Sequence, residues 1–396
     1  MGSLDFDSPA FNDPMELIFL GTGTSSSIPH VDCLTAPPGS KPCRTCLSTL
    51  APEGKKNIRR NTSAVARIRG RDGQTVTIVI DVGKSFQAAA IEWFPKYSLR
   101  RIDAVLITHA HADAMNGLDD LRGWTLHGAI QSHVDLYVSV STYKEVQRAF
   151  PYLVSKEFAS GGGDVPEFKW HIIEDRVPFE IGDTGIQITP FSVHHGRIFS
   201  SPPLDVIPSP YSLSPASTNA STPDIPGTPI RKGAALHSPE PSGQVQPYMC
   251  FGFVIQDAVV YMSDVSHIPE DVWDMLQKPS GCDFLRRPPP VFVLDCLRIH
   301  PHPSHLSIAQ SVEVARRMKA QRTYWLGFGH ELSHDDYVTI AETLGGKELG
   351  KPGLSTLQNR ALENVASGDQ VWIRPAFDGL RVFVSEDGVT RDEGYQ

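Results

Sequence analysis

The sequence lacks several features that would assign it to a membrane, secreted or nucleic-acid-binding class. No apolar run approaches the about 18 residues needed to span a bilayer. Residues 1–14 are acidic, without the basic and apolar segments of a signal peptide. Basic residues are not in excess, since 36 Lys and Arg stand against 45 Asp and Glu. Six cysteines in 396 residues favour thiols or metal ligands over a disulfide framework. We therefore expect a cytoplasmic protein, with the nucleus as alternative, and neither membrane nor nucleic acid as partner.

Short apolar runs that are typical of buried strands recur along the chain, with helical patterns between several of them. With 40% apolar residues, the chain can bury one large α/β core or two smaller ones. We predict a tail at residues 1–14, one domain at 15–385 and a second tail at 386–396. Residues 197–247 are rich in Ser and Pro and poor in core residues, which predicts an insertion loop. We favour an inert surface excursion for this loop over a lid.

One stretch combines a predicted strand with several potential metal ligands. The apolar run Ala104–Ile107 is followed by Thr108-His109-Ala110-His111-Ala112-Asp113. Two histidines at positions i and i+2 after a strand can direct both imidazoles to one point, and Asp113 follows at the same spacing. Imidazole and carboxylate together suit zinc, manganese or iron. The alternative is a polar loop in which histidines alternate by chance.

This stretch resembles the HxHxDH motif of the metallo-β-lactamase superfamily. Ala114 stands where that motif has a second-metal histidine, and the variant HxHADAxxGLDD is similar to plant and fungal members of the superfamily. The resemblance implies an αββα sandwich. It also implies that Asp81, in Asp81-Val82-Gly83, orients a metal-binding histidine; a plain strand-end residue is the alternative.

The resemblance further implies a set of catalytic metal ligands at successive strand ends. His195, with Gly196 after it, fits the motif better than the runner-up His194. The implied cofactors are one or two catalytic Zn²⁺ or Mn²⁺ ions, with the second site weakened by Ala114. Asp119 or Asp120 could replace the missing imidazole, although acidic residues at a helix start also suit the helix dipole. The full set of implied ligands is His109, His111, Asp113, His195, Asp264 and His330.

The cysteines suggest a separate site. Cys43-Arg44-Thr45-Cys46 has the spacing of a zinc knuckle, and a redox pair is the alternative. Within the superfamily, the chain resembles the PhnP-type phosphodiesterases, which carry a cysteine knuckle completed by a histidine near the last catalytic ligand. That similarity implies a structural Zn²⁺ held by Cys33, Cys43, Cys46 and His334.

The activity that the resemblance implies is hydrolysis of a small phosphodiester, cyclic ones included. A metal-activated hydroxide would attack, with Asp113 and His305 as catalytic residues and His305 protonating the leaving alkoxide. A surface-loop histidine is the alternative for His305. Two other classes remain: a superfamily hydrolase acting on a lactone, a thioester or a nucleic-acid 3′ end, and a metal-poor binding protein. We expect a small-molecule phosphodiester as partner and allow for a homodimer.

Overall fold

Two β-sheets pack face to face in the computed structural model, which describes residues 14–161, 164–198, 246–277, 288–348 and 353–395. The first sheet has eight strands in the order β15-β14-β1-β2-β3-β4-β5-β6, and the second has seven in the order β13-β12-β11-β10-β9-β8-β7. The first contains β1 (Met15–Gly21), β2 (Ser63–Arg69), β3 (Thr75–Ile80), β4 (Ala104–Leu106), β5 (Val134–Val138), β6 (Phe168–Ile172), β14 (Arg381–Val384) and β15 (Thr390–Asp392). The second contains β7 (Phe179–Glu180), β8 (Gln187–Ile198), β9 (Gln246–Ile255), β10 (Val259–Met262), β11 (Val291–Asp295), β12 (Arg322–Leu326) and β13 (Ile373–Pro375).

Alternating side chains build a core between the sheets. In β1, Leu17 and Phe19 face the second sheet, whereas Ile18 belongs to the apolar cluster on the outer side. Tyr261 and Tyr324 reach the same inner core from β10 and β12. This period-two division follows from strand geometry, in which successive side chains point to opposite faces of a sheet.

Helices cover the outer faces of both sheets. On the first sheet, Phe86 and Trp93 of α3 pack in one cluster with Val105 of β4. On the second, α9 and α10 contribute Val312 and Ile340 to a cluster with Phe292. The architecture confirms the predicted αββα sandwich. Along the chain the helices are α1 (Val31–Leu34), α2 (Arg44–Ser48), α3 (Phe86–Lys96), α4 (Ala112–Met115), α5 (Arg122–Thr125), α6 (Val140–Ala149), α7 (Pro151–Val154), α8 (Glu270–Gln277), α9 (Ile308–Met318), α10 (His334–Leu344) and α11 (Thr356–Glu363).

The ends of the predicted domain differ in detail from expectation. The predicted tail at 386–396 contains β15, which pairs with β14 at the edge of the first sheet. Most of the predicted insertion, at residues 199–245, lies outside the described residues, and so do residues 1–13. Within the described parts of the chain, none of the helices has the length and apolar character that crossing a membrane requires.

Strand ends from both sheets meet at one edge of the sandwich. Strands β10, β11 and β12 are parallel, so the residues that follow them lie side by side. From the first sheet, the loop after β1 reaches the loop after β12, where the Gly327 N–H donates to the Thr22 carbonyl at 2.9 Å. The loop after β4, which carries the predicted metal ligands, opens toward the same edge, since the Phe251 N–H of β9 donates to the Thr108 carbonyl at 2.8 Å.

Candidate metal centre

Three imidazoles converge at this edge. His109 and His111 follow β4, and His195 lies in β8 where the pairing with β9 shifts. One ring nitrogen of each lies within 4.8 Å of the others, and the His111 Nδ1 to His195 Nε2 distance is 3.2 Å. His194 faces away, because its ring lies 5.1 Å from that of His267, outside this cluster. The structure therefore brings together three predicted ligands and favours His195 over His194.

A chain of hydrogen bonds orients His109. The Thr108 N–H and hydroxyl donate to the two carboxylate oxygens of Asp81, each at 2.8 Å. The Thr108 oxygen then accepts from His109 Nδ1 at 2.8 Å. This arrangement leaves Nε2 of the buried His109 as the lone-pair atom that faces the cluster. Asp81 thus acts on His109 through Thr108, in the orienting role that was predicted for it.

His195 is held by the loop that precedes α9. Its Nδ1 donates to the carbonyl of Ser304 at 2.7 Å, which leaves Nε2 free for the cluster. Gly196 makes this approach feasible: its φ is +78°, and a Cβ there would lie 2.8 Å from Ser304 Oγ. A side chain at this position would therefore push the loop away from His195.

Asp264 and His305 extend the centre beyond the three imidazoles. Atoms of His195, Asp264 and His305 lie within 4.8 Å of one another. Burial of Asp264 disfavours its ionised form, but His109, His195 and His305 outweigh burial and lower its pKa to about 2. Burial likewise disfavours the charged form of His305, but Asp295, hydrogen-bonded to its Nδ1 at 2.8 Å, raises its pKa to about 9. The centre therefore combines an anionic Asp264 with a carboxylate-paired histidine.

Asp113 lies near enough to His111 to act on it electrostatically, whereas Asp119 and Asp120 lie apart from the centre. The Ser25 hydroxyl donates to Asp113 Oδ2 at 2.6 Å, and Oδ1 is buried without a hydrogen-bond partner. Asp119 Oδ1 is engaged by Arg122 at 2.6 Å. Asp120 lines an apolar cavity on the helix side with Trp124, and burial raises its pKa. Neither residue joins the histidine cluster.

The donor set fits a divalent cation. Buried polar atoms are normally hydrogen-bonded, yet His109 Nε2 and Asp113 Oδ1 have no partner within the described chain. Burial lowers the pKa of His109 to about 3 and also lowers that of His111, so both imidazoles are neutral at pH 7. Neutral imidazole and ionised carboxylate are the forms that bind zinc or manganese. His109, His111 and His195 form one group that could hold such an ion, and Asp264 lies beside it through His195.

A second group of ligand atoms forms around the cysteines. The His330 Nδ1 lies 3.3 Å from the Cys33 sulfur, 3.6 Å from that of Cys43 and 3.4 Å from that of Cys46. Three thiols and one imidazole form the closed set of a structural zinc site. The prediction that His330 binds a catalytic metal is therefore wrong, because its ring is directed to the cysteines instead.

His334 is not the fourth member of the cysteine site, which corrects the second histidine assignment. It opens α10 and is buried, with Nδ1 3.4 Å from an Arg59 nitrogen and Nε2 3.2 Å from the Tyr395 hydroxyl. Burial, with Arg59 and Lys56 nearby, lowers its pKa to about 2. His334 is thus a neutral structural residue.

Tyr248 is a site residue that sequence reasoning missed. Its ring stacks on His111 with a centroid separation of 4.5 Å and an interplanar angle of 3°. Its hydroxyl oxygen accepts the Ala110 N–H at 3.2 Å. The tyrosine therefore limits the orientations open to His111, the most exposed of the three clustered histidines. No motif in the sequence marks it, because stacking across strands leaves no fixed spacing.

Comparison with known proteins shows what this chain is similar to. Residues 76–212 match the model of the beta-lactamase superfamily domain. The structure aligns with a new diphosphatase from the PhnP family at 21% identity and a TM-score of 0.56, over 93% of this chain and 96% of that one. YhfI of Bacillus subtilis, a metallo-β-lactamase fold protein, aligns at 12% identity and a TM-score of 0.51, over 93% of this chain and 98% of that one. The chain has the metallo-β-lactamase fold. The resemblance to that superfamily, with PhnP-like similarity, is confirmed.

The sequence comparison also finds a relative that is named for a different activity. The octanoyltransferase of Porphyromonas gingivalis (strain ATCC BAA-308 / W83) is 28% identical over 188 residues, which are 46% of this chain and 32% of that protein. The match thus spans about a third of this curated relative. The two structures support the metallo-β-lactamase fold, which implies a divalent metal, typically zinc. The match to the beta-lactamase superfamily domain agrees with the coarser functional prediction, a hydrolase of this fold.

Proposed function

We propose that the chain is a metal-dependent hydrolase that cleaves small phosphodiesters. The observation that carries this proposal is the convergence of His109, His111 and His195 beside Asp264, with the His305–Asp295 pair next to it. A divalent cation held there would polarise a phosphoryl oxygen and lower the pKa of a water molecule. The resemblance to a diphosphatase of the PhnP family supports a phosphoryl substrate.

The chain's own residues would bind, orient and move protons around that ion. Asp295 fixes His305 through Nδ1, so Nε2 is the atom left to give a proton to the departing alkoxide. Asp113 is held through Oδ2 by Ser25, and its buried Oδ1 has no partner, so Oδ1 is the atom that would accept a hydrogen bond from the attacking water. We therefore assign leaving-group protonation to His305 and water orientation to Asp113.

A substrate panel tests the proposal. Purified protein with zinc or manganese would be assayed against bis-p-nitrophenyl phosphate, p-nitrophenyl phosphate, a lactone and an octanoyl thioester. We expect the diester to be hydrolysed fastest, and the His111→Ala variant to lose this activity while keeping the circular dichroism spectrum of the parent. Diester hydrolysis that persists undiminished in His111→Ala would contradict the assignment.

One observation favours a second candidate. The sequence relative is named an octanoyltransferase, so an acyl thioester is the competing substrate class. If the octanoyl thioester is cleaved faster than the diester, and His111→Ala abolishes that cleavage, the same centre serves acyl transfer to water. The diphosphatase alignment covers more of both chains, and for that reason we place the phosphodiester first.

A further inference from the structure

The carboxylate side of the centre lacks the imidazoles that a second catalytic ion would need. Ala114 offers only a methyl group; it is 2% exposed, and its carbonyl accepts the Val82 N–H at 2.8 Å. Paired catalytic ions lie about 3.5–4 Å apart and share a bridging carboxylate, so each also needs its own protein ligands. With Ala114 in place, Asp113 and Asp264 are the carboxylates left for a second ion.

His330 could have supplied the imidazole that Ala114 lacks, but its ring lies at the cysteine site. Its Nδ1 lies within 3.6 Å of each of the three sulfurs at the cysteine site. Its ring also stacks on His30, with centroids 3.9 Å apart. An imidazole fixed in this way cannot also bind an ion between Asp113 and Asp264.

The remaining neighbours are engaged as well. Asp119 is bonded to Arg122 and to the Tyr152 hydroxyl, at 2.6 and 3.2 Å. On the Asp264 side, His305 directs Nδ1 to Asp295, and its remaining Nε2 is the atom that the proposed function uses for proton transfer. His305 groups with His195 and Asp264 and not with Asp113. Across the parts of the chain that the structure describes, no cluster of three potential ligands includes Asp113.

We infer that the catalytic centre holds one divalent cation, bound by His109, His111, His195 and Asp264, and that the chain's other metal ion lies among Cys33, Cys43, Cys46 and His330. The chain would therefore hold two metal ions at two separate sites, instead of a pair of catalytic ions and one structural ion. The inference rests on the metal centre of the proposed function, although not on the identity of its substrate.

Elemental analysis tests this inference without an activity measurement. The full chain would be saturated with zinc, dialysed against buffer of low controlled free zinc, and analysed alongside His111→Ala and Cys46→Ser. We expect two zinc ions per wild-type chain and one in each variant, with the double variant holding none. Three ions per wild-type chain would overturn the inference, as would the loss of two ions in His111→Ala with none lost in Cys46→Ser.

A gain-of-site variant gives a second measurement. Ala114→His restores the missing imidazole and should raise the zinc content from two to three per chain, whereas the control Ala112→His should stay at two. If Ala114→His fails to fold because its position is buried, the wild-type stoichiometry still decides. A paired centre would overturn this inference and leave phosphodiester hydrolysis standing. Two zinc ions without diester hydrolysis would instead contradict only the proposed function.

Discussion

The Nδ1 atom of His330 lies 3.3 Å from the Sγ atom of Cys33, although 297 positions separate the two residues in the sequence. This contact joins the loop after β1 to the loop after β12. Those two loops also share the hydrogen bond between the Gly327 N–H and the Thr22 carbonyl. The cysteine site therefore sits where the two sheets meet, and its loss should affect more than one loop.

Alanine variants of His330 and His334, the two histidines that follow β12, should have different effects. His330→Ala should remove one zinc ion per chain, because it takes away one of four ligands of a closed site. His334→Ala should keep the full zinc content and lower the free energy of unfolding by about 1–3 kcal/mol, since it leaves the buried Arg59 with one partner fewer. Zinc content and denaturant unfolding measure both effects. Zinc loss in His334→Ala with retention in His330→Ala would reverse the assignment.

Adjacent histidines in β8 provide a test of the catalytic cluster. His195→Ala should lower hydrolysis more than 100-fold, because even changes to groups that only orient a metal ligand cost about 10–100-fold. His194→Ala should remain within a few-fold of the parent, since its ring packs near His267 rather than in the cluster. Initial rates at saturating metal report the difference. Equal losses in the two variants would count against the geometry described above.

The hydrogen-bond chain from Asp81 to His109 predicts a graded effect on metal affinity. Thr108→Val removes the hydroxyl that links the two residues and should weaken zinc binding by about 10–100-fold. Thr108→Ser keeps the hydroxyl and should bind zinc nearly as the parent does. Competition with a chelating dye measures both affinities, with the Cys46→Ser background used to isolate the catalytic ion. A serine variant as weak as the valine variant would rule out the hydroxyl as the link.

Asp378 predicts a pH dependence of stability. It is buried, and burial raises its pKa to about 6 despite hydrogen bonds from the Arg60 N–H and the Thr22 hydroxyl. The unfolded carboxyl titrates near 3.9, so the folded state holds the proton more tightly. The protonated Asp378 therefore stabilises the folded state fully below about pH 4, and this stabilisation is lost as pH rises through about 6.

The difference in stability between Asp378→Asn and the parent should therefore depend on pH. From about pH 4 to pH 7, the free energy of unfolding of the variant should rise relative to that of wild type by on the order of 2–3 kcal/mol, because the Asn side chain stays neutral. Urea unfolding of both proteins at the two pH values gives this difference directly. A difference that does not vary with pH would show that Asp378 has the same pKa in both states.

The parts of the site that follow strands could be predicted from the sequence, because local pattern determines them. A short apolar run fixes β4, and alternating ligands directly after it must lie near one another, as His109 and His111 do. The choice between His330 and His334 could not be made in this way. Both follow β12 within one polar loop, and only the start of α10 decides that His334 turns inward to Arg59.

Contacts between segments that are distant in the sequence could not be predicted, because no local pattern marks them. Tyr248 meets His111 across the cluster, and no spacing rule connects residues on separate strands. The edge strand β15 is three residues long, too short for an alternating pattern to emerge. Tyr395, just beyond it, nevertheless reaches His334 through its hydroxyl.

The pairing of β8 with β9 has a consequence for the arrangement of the site. The ladder continues to Ile198 opposite Gln246, so the described parts of the two strands end side by side. His195 and Tyr248 stand close to that junction, one on each strand. The backbone pairing of the two strands therefore holds these two side chains in register, whatever the length of the sequence between Ile198 and Gln246.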